Sequence, residues 1–244
     1  MNKYKWSTSW NKMEIICIML GVNDVKWIYH NPVFDSEDYD AHIRINSAWS
    51  GHVKFGYDLV RFMKPKQIVE LGTHYGTSFF SFCQAVKDER CSTKCFAVDT
   101  WKGDPHSGFY EEAVFQTVKT VIEKNYPNIG KMICKTFDDA LNIFEDNTID
   151  ILHIDGYHTY EAVSHDFETW LPKISKNGIV LLHDITVKYN DFGVYKLWDI
   201  LKSQYPSFQF EHSNGLGILF PKGYNSKFSE VFQKEEDLKN HYKN

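Results

Sequence analysis

The chain has 244 residues, 27 basic and 32 acidic side chains and a net charge of -5, a length that suits one α/β domain with decorations and a real buried core. So mild a balance, without any lysine-rich run, excludes an electrostatic footprint for nucleic acid. The longest apolar stretch near the N-terminus, residues 15–22, is far too short to span a bilayer, so no membrane span is expected.

That stretch precedes Asn23 and Asp24 instead of the small residues of a signal-peptide cleavage site, and it reads as a buried helix or strand. The cysteines, Cys17, Cys83, Cys91, Cys95 and Cys134, are odd in number and scattered. Cys91 and Cys95 lack the second pair that a zinc site needs. They read as reduced thiols of a cytoplasmic protein. Residues 1–46 are irregular and rich in aromatic and polar groups (Trp6, Trp10, Trp27, Tyr29, Tyr39), which suggests an appended arm.

From Trp49 the pattern becomes regular. A helical stretch through Phe55, Leu59 and Phe62 stops at Lys64 and Pro65. Residues 67–71 form a short apolar strand ending in glycine, and 77–86 a helix. A second strand covers 95–99, a second helix 109–124, a third strand 131–135 and a helix 139–144. Residues 149–154 make a strand of nearly unbroken apolar character. Tyr160, Val163, Phe167, Trp170 and Leu171 recur at helical spacing, and 178–182 form a buried strand ending at His183 and Asp184. Val194, Leu197, Trp198, Leu201 and Tyr205 mark an amphipathic helix.

Continuous apolar strands separated by amphipathic helices imply a doubly wound α/β sheet covered on both faces. Residues 208–210 and 217–220 flank Asn214-Gly215 with no helix between them, an antiparallel hairpin added to that sheet. The polar tail from Ser226 reads as a loose terminal helix.

In such a sheet a ligand sits beyond the carboxyl ends of the strands. The first strand delivers Glu70, followed by Gly72, Thr73, His74, Tyr75, Gly76, Thr77 and Ser78. Glycines there permit a tight turn and close backbone approach. The spacing is neither the G-x-G-x-x-G of a dinucleotide site nor a lysine-bearing phosphate loop. A carboxylate before the first glycine repels a pyrophosphate but welcomes a cation or an amino-acid ammonium; an ordinary strand-to-helix turn explains the segment as well. Asp99 ends the second strand, where an acidic group can accept from a ribose diol. Thr136, Phe137 and Asp138 follow the third and could flank an adenine, although a helix N-cap explains Asp138 equally. The fourth strand ends in Asp155-Gly156-Tyr157-His158 and the fifth in His183-Asp184. Capping accounts for one or two such carboxylates; carboxylates at every one of these ends favour a polar ligand plus a cation.

The stretches E-L-G-T-H-Y-G-T-S, V-D-T-W-x-G-D, H-I-D-G-x-H-T-Y-E-A-V-x-x-D and V-L-L-H-D resemble class I S-adenosylmethionine-dependent methyltransferases over residues 47–221. The resemblance is strongest to a glycosyltransferase-associated subfamily related to metal-dependent macrolide-sugar O-methyltransferases and cephalosporin methyltransferase-like proteins. It implies a Rossmann-like seven-stranded methyltransferase sheet whose antiparallel strand matches the C-terminal hairpin. It also implies a domain plan of an arm over 1–46 (lid, substrate or oligomer contacts), a methyltransferase domain over 47–222 and a polar tail over 223–244.

The resemblance implies S-adenosylmethionine held by Glu70, Gly72, Thr73, Gly76, Ser78, Asp99, Phe137, Asp138 and Asp155. It implies a divalent cation, Mg²⁺ or Mn²⁺, on Asp155, His183 and Asp184, with His158 as general base. Relatives usually carry an acidic residue where this chain has His183, and one carboxylate fewer weakens a Mg²⁺ site and better tolerates Mn²⁺. The expected reaction is O-methylation of a hydroxyl on a sugar, glycan or glycosylated metabolite, as in polysaccharide biosynthesis. A nicotinamide-dependent oxidoreductase and a non-catalytic cofactor-binding protein are the competing readings, and the first lacks its G-x-G-x-x-G. The acceptor pocket is expected between the N-terminal arm and residues 101–110. Homo-oligomerisation stays open.

Overall fold

The computed structural model describes residues 26–38 and 47–243. The expectations for residues 15–22 and for Trp6, Trp10, Cys17 and Tyr39 lie outside the described residues. Helix α1 (Val53–Met63) ends where Lys64 turns left-handed, φ 51°, and returns its N–H to Val60, just before Pro65. Then come β1 (Gln67–Leu71), α2 (Thr77–Glu89), β2 (Lys94–Asp99), β3 (Gly103–Asp104) and β4 (Gly108–Phe109). They are followed by α3 (Glu112–Asn125), β5 (Gly130–Cys134), α4 (Phe137–Ala140), β6 (Ile149–Ile154) and α5 (Tyr160–Trp170). The chain continues through β7 (Ile174–His183), α6 (Val194–Gln204), β8 (Ser207–Phe210), β9 (Leu216–Leu219), α7 (Phe228–Gln233) and α8 (Glu235–Tyr242).

The main sheet has seven strands in the order β5-β2-β1-β6-β7-β9-β8. Every pairing is parallel except those of β9, which runs against both β7 and β8. The doubly wound sheet with its antiparallel hairpin is therefore as expected. Alternation along each strand feeds two apolar layers. Ile68, Ala97, Ile151 and Leu181 point into one with Phe55 and Phe79, while Val69, Val98, Leu152 and Val180 point into the other with Trp170 and Trp198. Full burial of each such large side chain stabilises the fold by roughly 1.5–3 kcal/mol.

Beyond shifts of one to three residues at element ends, the structure departs from the expected elements in four places. The second helix starts at Glu112, not 109, because residues 103–109 form a small hairpin, β3 on β4. Helix α4 begins at Phe137 because the Thr136 side chain accepts the Asp139 N–H and caps it. Strand β7 begins at Ile174, four residues early, after a register irregularity between Ile149 and Ile151 on its partner. The tail is not loose: Phe228, Val231, Leu238 and Tyr242 are buried in the α1 layer. No helix among the described residues is long and apolar enough to cross a membrane.

Candidate active site

A cavity of about 690 Å³ opens at the carboxyl ends of the parallel strands, within the usual size range for a small-molecule site. The turn after β1 forms one wall through Gly72, Thr73, Gly76 and Ser78. Gly72 has φ 88°, and a Cβ there would lie 2.1 Å from the Asp155 carbonyl oxygen, so only glycine lets the ends of β1 and β6 approach this closely. Asp99 pins the same turn. Its Oδ2 accepts the N–H groups of Thr73 at 2.9 Å and His74 at 3.0 Å, and its Oδ1 that of Trp101 at 2.7 Å. The Thr73 hydroxyl lines the cavity, is buried and has no protein partner, which fits a polar ligand lying along this turn.

Thr136, Phe137, Gly156 and Tyr157 continue the wall. Residues 101–110 contribute Gly103, Asp104, His106, Ser107 and Tyr110, where the acceptor pocket was expected. Two predicted residues are not in the wall. Glu70 is wholly buried beneath the turn, where its Oε2 meets His153 Nδ1 at 2.8 Å. Burial pushes its carboxyl up, and His153 works against that shift. Asp138 faces solvent and pairs with His165 at 2.8 Å, and the helix cap falls to Thr136 instead.

The remaining predicted residues converge. His158 Nε2 lies 2.9 Å from Asp184 Oδ2 and 3.5 Å from Asp155 Oδ1. His183 Nδ1 lies 3.3 Å from each of those oxygens. Burial opposes a charge on His158, but hydrogen bonds to Asp155 and Asp184 outweigh it and push the ring up to about 9. Burial likewise opposes charging His183, and Asp155 above all holds it well above the usual histidine range. Burial would raise both carboxyls, yet the two imidazoles hold Asp155 and Asp184 below their ordinary values.

Ligand atoms of Asp155, His158 and Asp184 all lie within 4.8 Å of one another, close enough to hold one metal ion. No lysine or arginine lines the cavity among the described residues. Two carboxylates whose cationic partners, among the described residues, are imidazoles alone form a donor set that a divalent cation fits.

Above this cluster Phe192 stacks on the His158 ring at 4.8 Å and on His106 at 4.3 Å, and His106 Nε2 meets Asp191 at 2.7 Å. Sequence pattern singles out neither His106 nor Phe192, because the hairpin that places His106 has no length or alternation to reveal it. Asn214 and Trp49 also line the cavity. The Asn-Gly pair was legible as a turn, but nothing in the sequence says where its side chain goes.

A family described as "Methyltransferase domain" matches residues 69–185, the segment from β1 to the turn after β7. The protein y4gI of Sinorhizobium fredii is 45% identical over 189 residues, 78% of this chain; the chain spans only about one fifth of that relative, 20% of its length. Among solved structures, the Podospora anserina methyltransferase PaMTH1, bound to SAH, aligns with a TM-score of 0.58 at 13% identity, covering 88% of this chain and 98% of that one. The O-methyltransferase TomG of Streptomyces achromogenes, in complex with SAM, aligns with a TM-score of 0.58 at 13% identity, covering 88% and 97%. A methyltransferase from Geobacter sulfurreducens gives 0.58 at 14%, covering 87% and 98%. At these identities the likeness shows a shared fold.

Proposed function

We propose that this chain, whose residues 69–185 match a methyltransferase domain, is an S-adenosylmethionine-dependent enzyme that O-methylates a hydroxyl of a sugar, glycan or glycosylated metabolite with a divalent cation and His158 as general base. The carrying observation is His158 Nε2, 2.9 Å from Asp184 and 3.5 Å from Asp155, in the cavity that the glycine turn walls. Two of the similar structures are SAH-bound and SAM-bound, and TomG is an O-methyltransferase, which supports the oxygen acceptor.

Gly72, Thr73, Gly76 and Ser78 would receive the methionine end of the cofactor. Asp99 would meet the ribose, and Phe137 the adenine. Asp155, Asp184 and His183, the last through Nδ1, would hold the cation and leave His158 for the proton. When bound, the cation would offset both carboxylates and polarise the acceptor hydroxyl. S-adenosylmethionine would supply the activated methyl, and His158 Nε2 would take the acceptor hydroxyl's proton once the charge of the two carboxylates that hold its ring protonated is offset. The chain's remaining task is alignment, because a sulfonium methyl is already activated. Ser47, Asp104, Ser107 and Asn214 give the acceptor end a hydrogen-bonding wall suited to a polyhydroxylated ligand.

The test is transfer of labelled methyl from S-adenosylmethionine to a panel of sugars, nucleotide sugars and glycosides, with and without chelator. Methylation of nitrogen or carbon acceptors alone would overturn the oxygen assignment. Full activity in excess chelator would overturn the cation.

A further inference from the structure

The turn between β8 and β9 is built from left-handed residues in succession: Ser213 at φ 50°, Asn214 at φ 64° and Gly215 at φ 82°. Glycine adopts that region freely, but serine and asparagine do so at a cost that surrounding contacts must offset. The contacts are present. Thr186 N–H donates to the Asn214 carbonyl at 3.0 Å, Gly215 N–H to the His212 carbonyl at 2.9 Å, and His212 Nε2 meets the Gly51 carbonyl at 3.2 Å.

Two groups of this turn face the carboxylate and imidazole cluster. Asn214 Nδ2 donates to Asp184 Oδ1 at 2.8 Å, so the other oxygen, Oδ2, is the one that meets His158 and His183. The Ser213 carbonyl lies 3.0 Å from His183 Nε2 and 3.3 Å from His52 Nε2. A carbonyl can only accept, so His183 Nε2 carries a hydrogen, and in the neutral ring Nδ1 then presents its lone pair. That Nδ1 is the atom 3.3 Å from both Asp155 and Asp184.

Resting on the reading of this cluster as a divalent-cation site, we propose that Asn214 and the Ser213 carbonyl are positioning groups, which turn Asp184 Oδ2 and His183 Nδ1 toward the cation. Partners of this kind fix a ligand's tautomer and direction, and losing one typically weakens metal binding 10- to 100-fold, at roughly that scale in other sites. The strained backbone conformation is then explained by the place the turn must reach.

The experiment titrates Mn²⁺ alone into the metal-free full chain by calorimetry and electron paramagnetic resonance, comparing the parent with Asn214→Gly. Glycine adopts φ 64° without strain, so this variant keeps the turn and loses only the carboxamide. A parent-like melting curve with Mn²⁺ affinity lowered roughly 10- to 100-fold is expected. Parent-like affinity in the folded variant overturns the positioning role while leaving the cation site intact. No Mn²⁺ binding by the parent overturns the cation reading and this proposal together. Should Asn214→Gly not fold, nitrogen NMR of the parent with Mg²⁺ decides: His183 protonated at Nε2 and bare at Nδ1 is expected, and the opposite tautomer overturns the proposal.

Discussion

His153 donates its Nδ1–H to Glu70 Oε2 across 2.8 Å, with both side chains wholly buried. The direction follows from Trp49, whose indole N–H donates to His153 Nε2 at 3.0 Å and so makes that nitrogen an acceptor. Glu70 thus supports the turn from beneath. Glu70→Ala should cost about 1–3 kcal/mol of stability, the penalty for leaving a buried polar partner unsatisfied. Denaturant unfolding measures it, and an unchanged midpoint and slope would show that the pair contributes nothing.

Asp99 makes a different prediction because it lines the cavity and its oxygens already accept the N–H groups of Thr73, His74 and Trp101. Asp99→Asn keeps the side chain's size but removes the charge and sets an NH2 group against one of those N–H donors. Affinity for S-adenosylhomocysteine should fall by roughly 1.5–3 kcal/mol, the range for charge-assisted hydrogen bonds. Calorimetric titration reads it, and parent-like affinity would sink the ribose assignment.

His158→Ala should lower turnover by about 10²–10⁴-fold, the range for a lost general base. Cofactor affinity should hold, because the imidazole faces Asp155 and Asp184, not the turn after β1. A variant that turns over normally, or that loses cofactor affinity instead, would assign His158 a structural role.

Asp166, on α5, is buried, and burial pushes its carboxyl up to about 7. The folded chain therefore binds this proton more tightly than the unfolded chain. Its stability contribution is full below about pH 4 and is lost as pH rises toward about 7, by an amount on the order of a few kcal/mol. Asp166→Asn, which cannot ionise, should melt higher than the parent at pH 8, with the gain shrinking by pH 5. Melting curves across that range that keep a constant offset would contradict the shifted carboxyl.

The sheet was legible because β1, β6 and β7 are apolar runs bounded by glycine or charge, and such runs admit few arrangements. The convergence of Asp155, His158, His183 and Asp184 was legible too, since strand ends in a parallel sheet share one edge. Glu70 misled because its neighbours in sequence line the cavity; only His153 on the adjoining strand shows where its carboxylate goes. His106 and Asn214 were out of reach for a related reason. Both sit on short hairpin turns whose direction is set by tertiary contacts, here Asp191 and Asp184.

Asp58 on α1 is buried, and it is met from both flanks of the chain: by His30 Nδ1 at 2.6 Å and by the Tyr242 hydroxyl, which itself accepts the Trp27 indole N–H at 2.9 Å. None of these residues lines the cavity. A unit whose residues 30 and 242 meet at one carboxylate can be carried within a longer polypeptide as a closed loop, without prying the mouth of the cavity apart. The relative y4gI carries a stretch 45% identical to this chain over 189 residues within a much longer polypeptide, of which this chain spans 20%.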